Sequence, residues 1–238
     1  MSLDWYSISI RDAISQLGPQ AIIDNCFAGQ AALCSLITRD PQTNEIVFVQ
    51  NTFLNVAQAK AVGTDFEIQF ARDLHLLGGA GEAMRARLIA SWLGENSTRL
   101  AGAAKIDRAG QTGGSATGYI GMPDLQLTAA LTYRNGPWQL YLQSHFIDSG
   151  KLDTTLRQGI DIDDNTVASA FYTDFRLSYS TDATSTGSWE IYVKVENLFD
   201  RNPPRAADFS DFNGATHTNE TLFDVLGRRY TLGVHLRL

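Results

Sequence analysis

Residues 230–238, "YTLGVHLRL", close the sequence, and their reading decides the fold. Tyr230, Leu232, Val234, Leu236 and Leu238 fall on one side; Thr231, Gly233, His235 and Arg237 fall on the other. Period-two alternation marks a β-strand with one apolar and one polar face. The terminal strand of a soluble domain ordinarily trails into loose polar residues. This one stops in mid-strand.

The same alternation recurs upstream. Strands are expected near residues 3–10, 57–72, 82–94, 122–134, 137–148, 168–180, 188–199 and 227–238. In the fourth, Leu125, Leu127, Leu131 and Tyr133 oppose Asp124, Gln126, Thr128 and Arg134. The fifth sets Trp138, Leu140, Leu142 and Phe146 against Gln139, Tyr141, Gln143 and His145. The seventh sets Trp189, Ile191, Val193 and Val195 against Glu190, Tyr192, Lys194 and Glu196. An apolar face against lipid and a polar face along a wet interior would produce this pattern. A soluble sandwich also alternates, but its strands average only about 5–6 residues. A strand of about 12 residues, tilted, spans a bilayer core.

Connections fall into two alternating classes. Short ones are expected at Asp73–Gly81, at Asn135-Gly136 and at Thr181–Ser188. Long ones cover 11–56, 95–121, 149–167 and 200–226. Short turns at one end and long loops at the other characterise outer-membrane barrels. Tyr133 and Trp138 flank one short turn, and Tyr179 and Trp189 flank another, which places both pairs at one membrane interface. Trp92, Phe146 and Phe171 fall toward the opposite end. The fold expected is therefore all-β, an antiparallel transmembrane β-barrel. Leu127, Leu140 and Ile191 are expected against lipid, and Arg85, Gln143, Lys194 and Arg237 toward the lumen.

Composition narrows the function. The 238 residues contain no apolar run of the roughly 18–20 residues that a membrane helix needs. A net charge of -7 argues against a nucleic-acid partner, which requires a basic face. The opening "MSLDWYSISI" already alternates and carries no charged-then-apolar leader. Either no export signal exists, or this is the downstream piece of a longer exported chain. Cys26 and Cys34 lie eight positions apart without other ligands nearby, a poor zinc pattern. A disulfide closing a small loop is the better reading. Within the same loop, Pro19 is placed to start a short helix, and the loop is the region expected to meet a ligand.

The segment "VENLFDRNPP", Val195–Pro204, followed by "DVLGRRYTLGVHLRL", resembles the C-terminal end of TonB-dependent outer-membrane receptors. "DWYSISIRDAI", "FLNVAQAKAVGTDFEIQF" and "YTDFRLSYS" look like strands of the same barrels. The resemblance implies that residues 1–238 are the C-terminal portion of a 22-stranded barrel, its last eight strands, with the plug domain and TonB-binding segment absent. It implies import of a scarce nutrient such as an iron chelate. The implied partners are outer-membrane lipid, the TonB energy-transducing complex, an N-terminal plug and the barrel-insertion machinery. Tyr230, Gly233, Leu236 and Leu238 match positions of the terminal assembly signal, although that signal usually ends in an aromatic residue and here ends in Leu238.

Catalytic chemistry is not expected. His75, His145, His217 and His235 are scattered, and no Ser-His-Asp arrangement has supporting spacing. His145 and His235 are expected as polar lumen groups. "DIDDN" sets Asp161, Asp163 and Asn165 at alternating positions, but Thr166 and Tyr172 stand where a calcium loop needs Gly and Glu. Asn96 and Asn219 head glycosylation-type triplets that the outer-membrane context makes idle. The sequence thus predicts no enzyme, no cofactor and no metal. Two alternatives stay open: a self-contained eight-stranded outer-membrane barrel with a structural or adhesive role, and a soluble β-barrel that binds a small apolar ligand.

Overall fold

All eight expected strands form. A computed structural model of the chain describes residues 1–78, 81–99, 104–113, 121–181, 187–206 and 217–237, without the side chains of 13, 15, 54–57 and 237. The elements in chain order are β1 (Ser2–Gln16), α1 (Pro19–Phe27), α2 (Ala31–Cys34), β2 (Ile37–Arg39), β3 (Ile46–Val49), β4 (Phe53–Asp73), β5 (Ala83–Arg99) and β6 (Ile106–Asp107). There follow β7 (Leu125–Asn135), β8 (Trp138–Ile147), β9 (Gly150–Lys151), β10 (Thr166–Val167), β11 (Ala170–Ser180), β12 (Ser188–Glu196) and β13 (Arg229–Arg237). The eight expected strands are β1, β4, β5, β7, β8, β11, β12 and β13. Leu238 and the Arg237 side chain, both part of the expected final strand, lie outside the described residues.

The eight long strands follow one another in a single sheet, ordered β1-β4-β5-β7-β8-β11-β12-β13, with β6 added on β5. Pairings from β5 through β13 are antiparallel. Among the described residues the hydrogen-bonded path does not close: β1 and β13 stand at its two ends. A self-contained barrel of eight strands would need those two to pair. Contacts divide the chain into two units: Met1–Tyr6 with Gly63–Gly94 and Arg108–Leu238, and Ser7–Val62 with Glu95–Asp107.

One register carries the same face assignment across six strands. Trp92 faces Leu125, Ala90 faces Leu127, and Ala86 faces Leu131. Leu131 in turn faces Leu142, and Leu127 faces Phe146. Leu142 faces Phe175, and Leu140 faces Leu177. Phe175 faces Val195, and Leu177 faces Val193. Ile191 faces Val234, and Val193 faces Leu232. The alternate positions pair Thr132 with Tyr141, Asp174 with Gln143, Arg176 with Lys194, and Glu190 with His235. Because strands alternate strictly, this register gathers the apolar residues on one side and the charges on the other.

The hairpin between β7 and β8 turns one residue later than Asn135-Gly136. Asn135 still pairs with Trp138, so the loop residues are Gly136 and Pro137. Gly136 has φ 56°. A positive φ followed by a proline-fixed negative one is the φ pattern of a type II′ turn, which matches the twist of the strands it joins. Asn-Gly looked like the loop because both residue types tolerate positive φ; Pro137 decides the register. The Pro137 carbonyl then accepts from the Ser180 N–H at 2.9 Å, tying the turn to β11.

The second unit holds the expected helix. Pro19 opens α1 after Gly18, whose φ is 82°. Ile22 is fully buried there, and Leu33 of α2 nearly so. The short β2–β3 hairpin was not expected: its strands have three and four residues, too few to display a period.

Candidate functional site

The apolar face is exposed rather than packed. Ile68, Phe70, Trp92, Trp138, Phe171, Trp189, Ile191, Val193, Leu232, Val234 and Leu236 are all exposed. A soluble barrel would bury such a face. At the short-turn end, the Trp138 and Tyr179 rings meet edge-on with centroids 4.8 Å apart, and Tyr179 and Trp189 lie 5.7 Å apart. They form the row of amphipathic rings expected at a membrane interface. Trp92 faces Leu125, and Phe146 faces both Leu127 and Phe171, toward the long-loop end. Ser144 and Thr173, whose hydroxyls lie on this face, satisfy each other at 3.0 Å, as polar groups in hydrocarbon must.

The opposite face is a ladder of charge. Arg176 stands across from Lys194, two cations that would repel in that register. Each finds a carboxylate instead, Arg176 diagonally on the neighbouring strand and Lys194 on its own. Arg176 reaches Glu190 at 2.9 Å, and its guanidinium lies 4.2 Å from the Tyr192 ring centre. Lys194 reaches Glu196 at 2.8 Å. Arg229 bridges Glu196 at 3.5 Å and Asp224 at 3.2 Å. His235 lies 3.3 Å from Glu190, and its ring centre is 5.2 Å from that of Tyr192. Gly233 leaves room for this ring: a Cβ there would come within 2.5 Å of it, and Tyr192 would have to shift. Farther along, Arg87 pairs with Glu67 at 2.9 Å, and half-buried His145 sits 3.1 Å from Thr128. Ladders of this kind suit a wall that faces water and charged ligands.

Above the polar wall, the first unit's long loops close into an ordered cap. Its apolar core is Ile147, Leu152, Val167, Ala170, Tyr172, Ala206 and Phe223. Around it, buried polar groups bond loop to loop. Arg108 bridges Asp153 at 3.0 Å and donates to Gln111 at 2.6 Å. The Gln111 carbonyl oxygen also accepts from the Thr154 hydroxyl at 3.2 Å. Asn165 accepts from the Asp153 N–H at 3.0 Å and donates to the Asp153 and Leu156 carbonyls at 2.8 and 2.9 Å. Asn219 donates to the Gly113 carbonyl at 2.9 Å across more than a hundred residues of chain. Gly113 allows this closeness, since a Cβ there would meet the Leu152 carbonyl oxygen at 2.1 Å. No spacing in the sequence announces these partners. They come from loops without periodicity.

The "DIDDN" stretch has no converging ligands. Asp161 is taken by Arg157, at 3.0 Å, and Asn165 is buried in the cap. Asp164 holds the Thr166 N–H and hydroxyl at 2.9 and 2.6 Å. Among the described residues no cluster of His, Cys, Asp or Glu is arranged to hold a metal ion. Asn219 of the second glycosylation-type triplet is buried and hydrogen-bonded.

The two motifs of the C-terminal segment fold onto each other. Asn197, at φ 51° and 1% exposed, accepts from the Arg201 N–H at 2.8 Å and donates to its carbonyl at 2.9 Å. Its backbone N–H reaches Asp174 at 2.9 Å. Asp200, at φ 53°, then accepts from the Arg228 N–H at 3.0 Å. "NLFDR" is thus a clasp, and "GRR" is what it grips. Of the expected assembly-signal residues, Tyr230 faces Val195, Gly233 faces Tyr192 and Leu236 faces Trp189; Leu238 lies outside the described residues.

In the second unit, the Cys26 and Cys34 sulfurs are 2.13 Å apart and their Cα atoms 4.9 Å. Lys60 and Lys105 converge on Glu95 at 2.7 and 3.1 Å. Glu95 lies beyond the stretch 82–94 expected to cross the bilayer. Hydrogen bonds from Lys60 first, then Ser97 and Lys105, hold its carboxyl down to about 2, against an ordinary 4.5. A depressed carboxyl stabilises the fold in its charged form. That contribution is complete above pH 4.5 and is lost as pH falls through about 2. Glu95→Gln is therefore expected to lower stability at neutral pH and to flatten the acid limb in this window. Denaturant titration from neutral to strongly acid pH checks it; a variant with an unchanged acid limb would refute the link.

Long antiparallel strands, an exposed apolar band, an aromatic row and a charged opposite face define an outer-membrane β-barrel wall. The chain belongs to the TonB dependent receptor-like, beta-barrel family, whose model matches residues 1–198. The matched stretch takes in every long strand except β13. No curated protein and no solved structure matches the chain significantly.

Proposed function

We propose that residues 1–238 form the C-terminal portion of the barrel of a TonB-dependent outer-membrane receptor, its last eight strands, which takes up a scarce nutrient such as an iron chelate. Family membership supports the receptor class and the outer membrane. The observation that carries the reading is the unbroken split of six paired strands into an exposed apolar face and an ion-paired polar face. In this reading the polar wall lines the lumen around an N-terminal plug, and the TonB energy-transducing complex acts on that plug. The α1–α2 loop meets the incoming ligand. The chain performs no catalysis; its chemistry is recognition and passage.

Uptake of a radiolabelled ferric chelate, by cells carrying the complete receptor gene or its deletion, tests the function. Loss on deletion, recovery on complementation and dependence on TonB are expected. Unchanged iron uptake together with lost cobalamin or oligosaccharide uptake would overturn the iron-chelate assignment. TonB-independent passage would overturn the energised receptor.

Two local readings accompany this one. The first is that Cys26 and Cys34 are bonded in the exported protein, stabilising the α1–α2 loop by ~2–3 kcal/mol through its short closed ring. Thiol labelling under non-reducing denaturing conditions should find neither cysteine free, and two labelled thiols would sink the idea. The second is that Tyr230, Gly233, Leu236 and Leu238 form the signal that the barrel-insertion machinery reads.

A further inference from the structure

The turn between β4 and β5 is built around a buried carboxylate. Glu82, only 3% exposed, accepts the Leu76 N–H at 2.8 Å and the Leu77 N–H at 3.2 Å through one oxygen. Through the other it accepts the Tyr133 hydroxyl at 2.6 Å. Its backbone carbonyl takes the Leu74 N–H at 2.9 Å. Glu82 thus takes up the N–H groups of Leu74, Leu76 and Leu77, while the side chains of Leu76 and Leu77 remain 76% and 74% exposed. Among the described residues, nothing packs over these two leucines enough to bury them.

Their position identifies the occupant. Tyr133 pairs with Met84 and Leu140 on the apolar face, so the clamp draws the turn toward the lipid side of the strand ends. The turn lies at the same end as the Trp138–Tyr179–Trp189 row. Arg72 shares the strand parity of Ile68 and Phe70 and is exposed. It brings a cation to the level where a long side chain reaches phosphate oxygens. A cation, a phenol held by a carboxylate and two exposed leucines thus gather at the short-turn end of the strands.

We propose that this turn is a membrane anchor: Leu76 and Leu77 enter the periplasmic leaflet at the boundary between headgroups and acyl chains, and Glu82 holds them there. The anchor rests on the outer-membrane reading and continues its apolar face by one turn. Such a device fixes the vertical position of the wall, because any movement that draws the turn out of the leaflet exposes the leucines to water.

Nitroxide labels placed by cysteine substitution at Leu76, at Leu77, at Leu140 and at Gln42, in the full chain reconstituted in phospholipid nanodiscs, test it. Heat-modifiable gel mobility verifies folding of each variant. Collision with oxygen and with a water-soluble nickel chelate reports depth. Positions 76 and 77 should favour oxygen, as Leu140 does, and Gln42 should favour the chelate. Tyr133→Phe should loosen the label at 77 and shift it toward the chelate. Labels at 76 and 77 that favour the chelate while Leu140 favours oxygen overturn the anchor and leave the barrel reading intact. Protection that appears only when a periplasmic extract is added overturns it in favour of a protein partner. A Leu140 label that favours the chelate removes both readings at once.

Discussion

Leu142→Arg is expected to destabilise the protein by ~2–4 kcal/mol in a bilayer, the cost of an arginine near mid-depth on a lipid-facing strand position. Leu142 faces Phe175 on one side and Leu131 on the other, with no charged partner on that face. Gln143→Arg, the next residue along the same strand, should cost less than about 1 kcal/mol, as surface changes usually do. Gln143 faces Asp174, which offers an incoming guanidinium a carboxylate. Denaturant unfolding in lipid vesicles would measure both. Equal penalties would mean that the two faces are exposed to the same medium, and the assignment of lipid and lumen would fall.

Asn197→Ala is expected to cost about 3–4 kcal/mol. Roughly 1 kcal/mol attaches to each of three buried hydrogen bonds, those to Arg201 N–H, Arg201 carbonyl and Asp224. About 1 more comes from forcing a Cβ-bearing residue that lacks Asn's local bonding into φ 51°. Asn197→Gly separates the two terms, since glycine accepts that φ freely. Its penalty should be smaller than that of alanine by about that last amount. Unfolding in denaturant gives the totals, and protease cutting near Arg201 and Arg228 reports whether the clasp has opened. Identical losses for Ala and Gly would show that backbone strain contributes nothing here.

The parts legible in the sequence were those that repeat. Long strands display period two many times over, so each of the eight was located, and the face assignment of Leu127, Leu140, Ile191, Gln143 and Lys194 followed directly. Cys26 and Cys34 were legible as a pair because nothing else near them could use a thiol. The Gly136-Pro137 turn was misplaced by one residue because turn propensity is local, whereas register is set by the cross-strand pairs on both sides. The cap was not legible. Arg108, Asp153, Asn165 and Asn219 meet through three loops, and the separation between Asn219 and Gly113 obeys no spacing rule. Glu82 gave no signal either, since a carboxylate before a strand looks like any solvated turn residue until Tyr133 is folded against it.

The clasp at Asn197 has a kinetic consequence. β12 and β13 pair without a bulge from Ser188–Arg237 to Glu196–Arg229. Sliding one strand by a single residue would drive Glu190, Lys194 or Arg229 into hydrocarbon. The gripped backbone of Arg228 lies one residue from the start of that ladder. It therefore works as a starting tooth: once Asp200 holds Arg228, only one zippering register remains, and a misthreaded hairpin has to let go at the loop before it can correct itself.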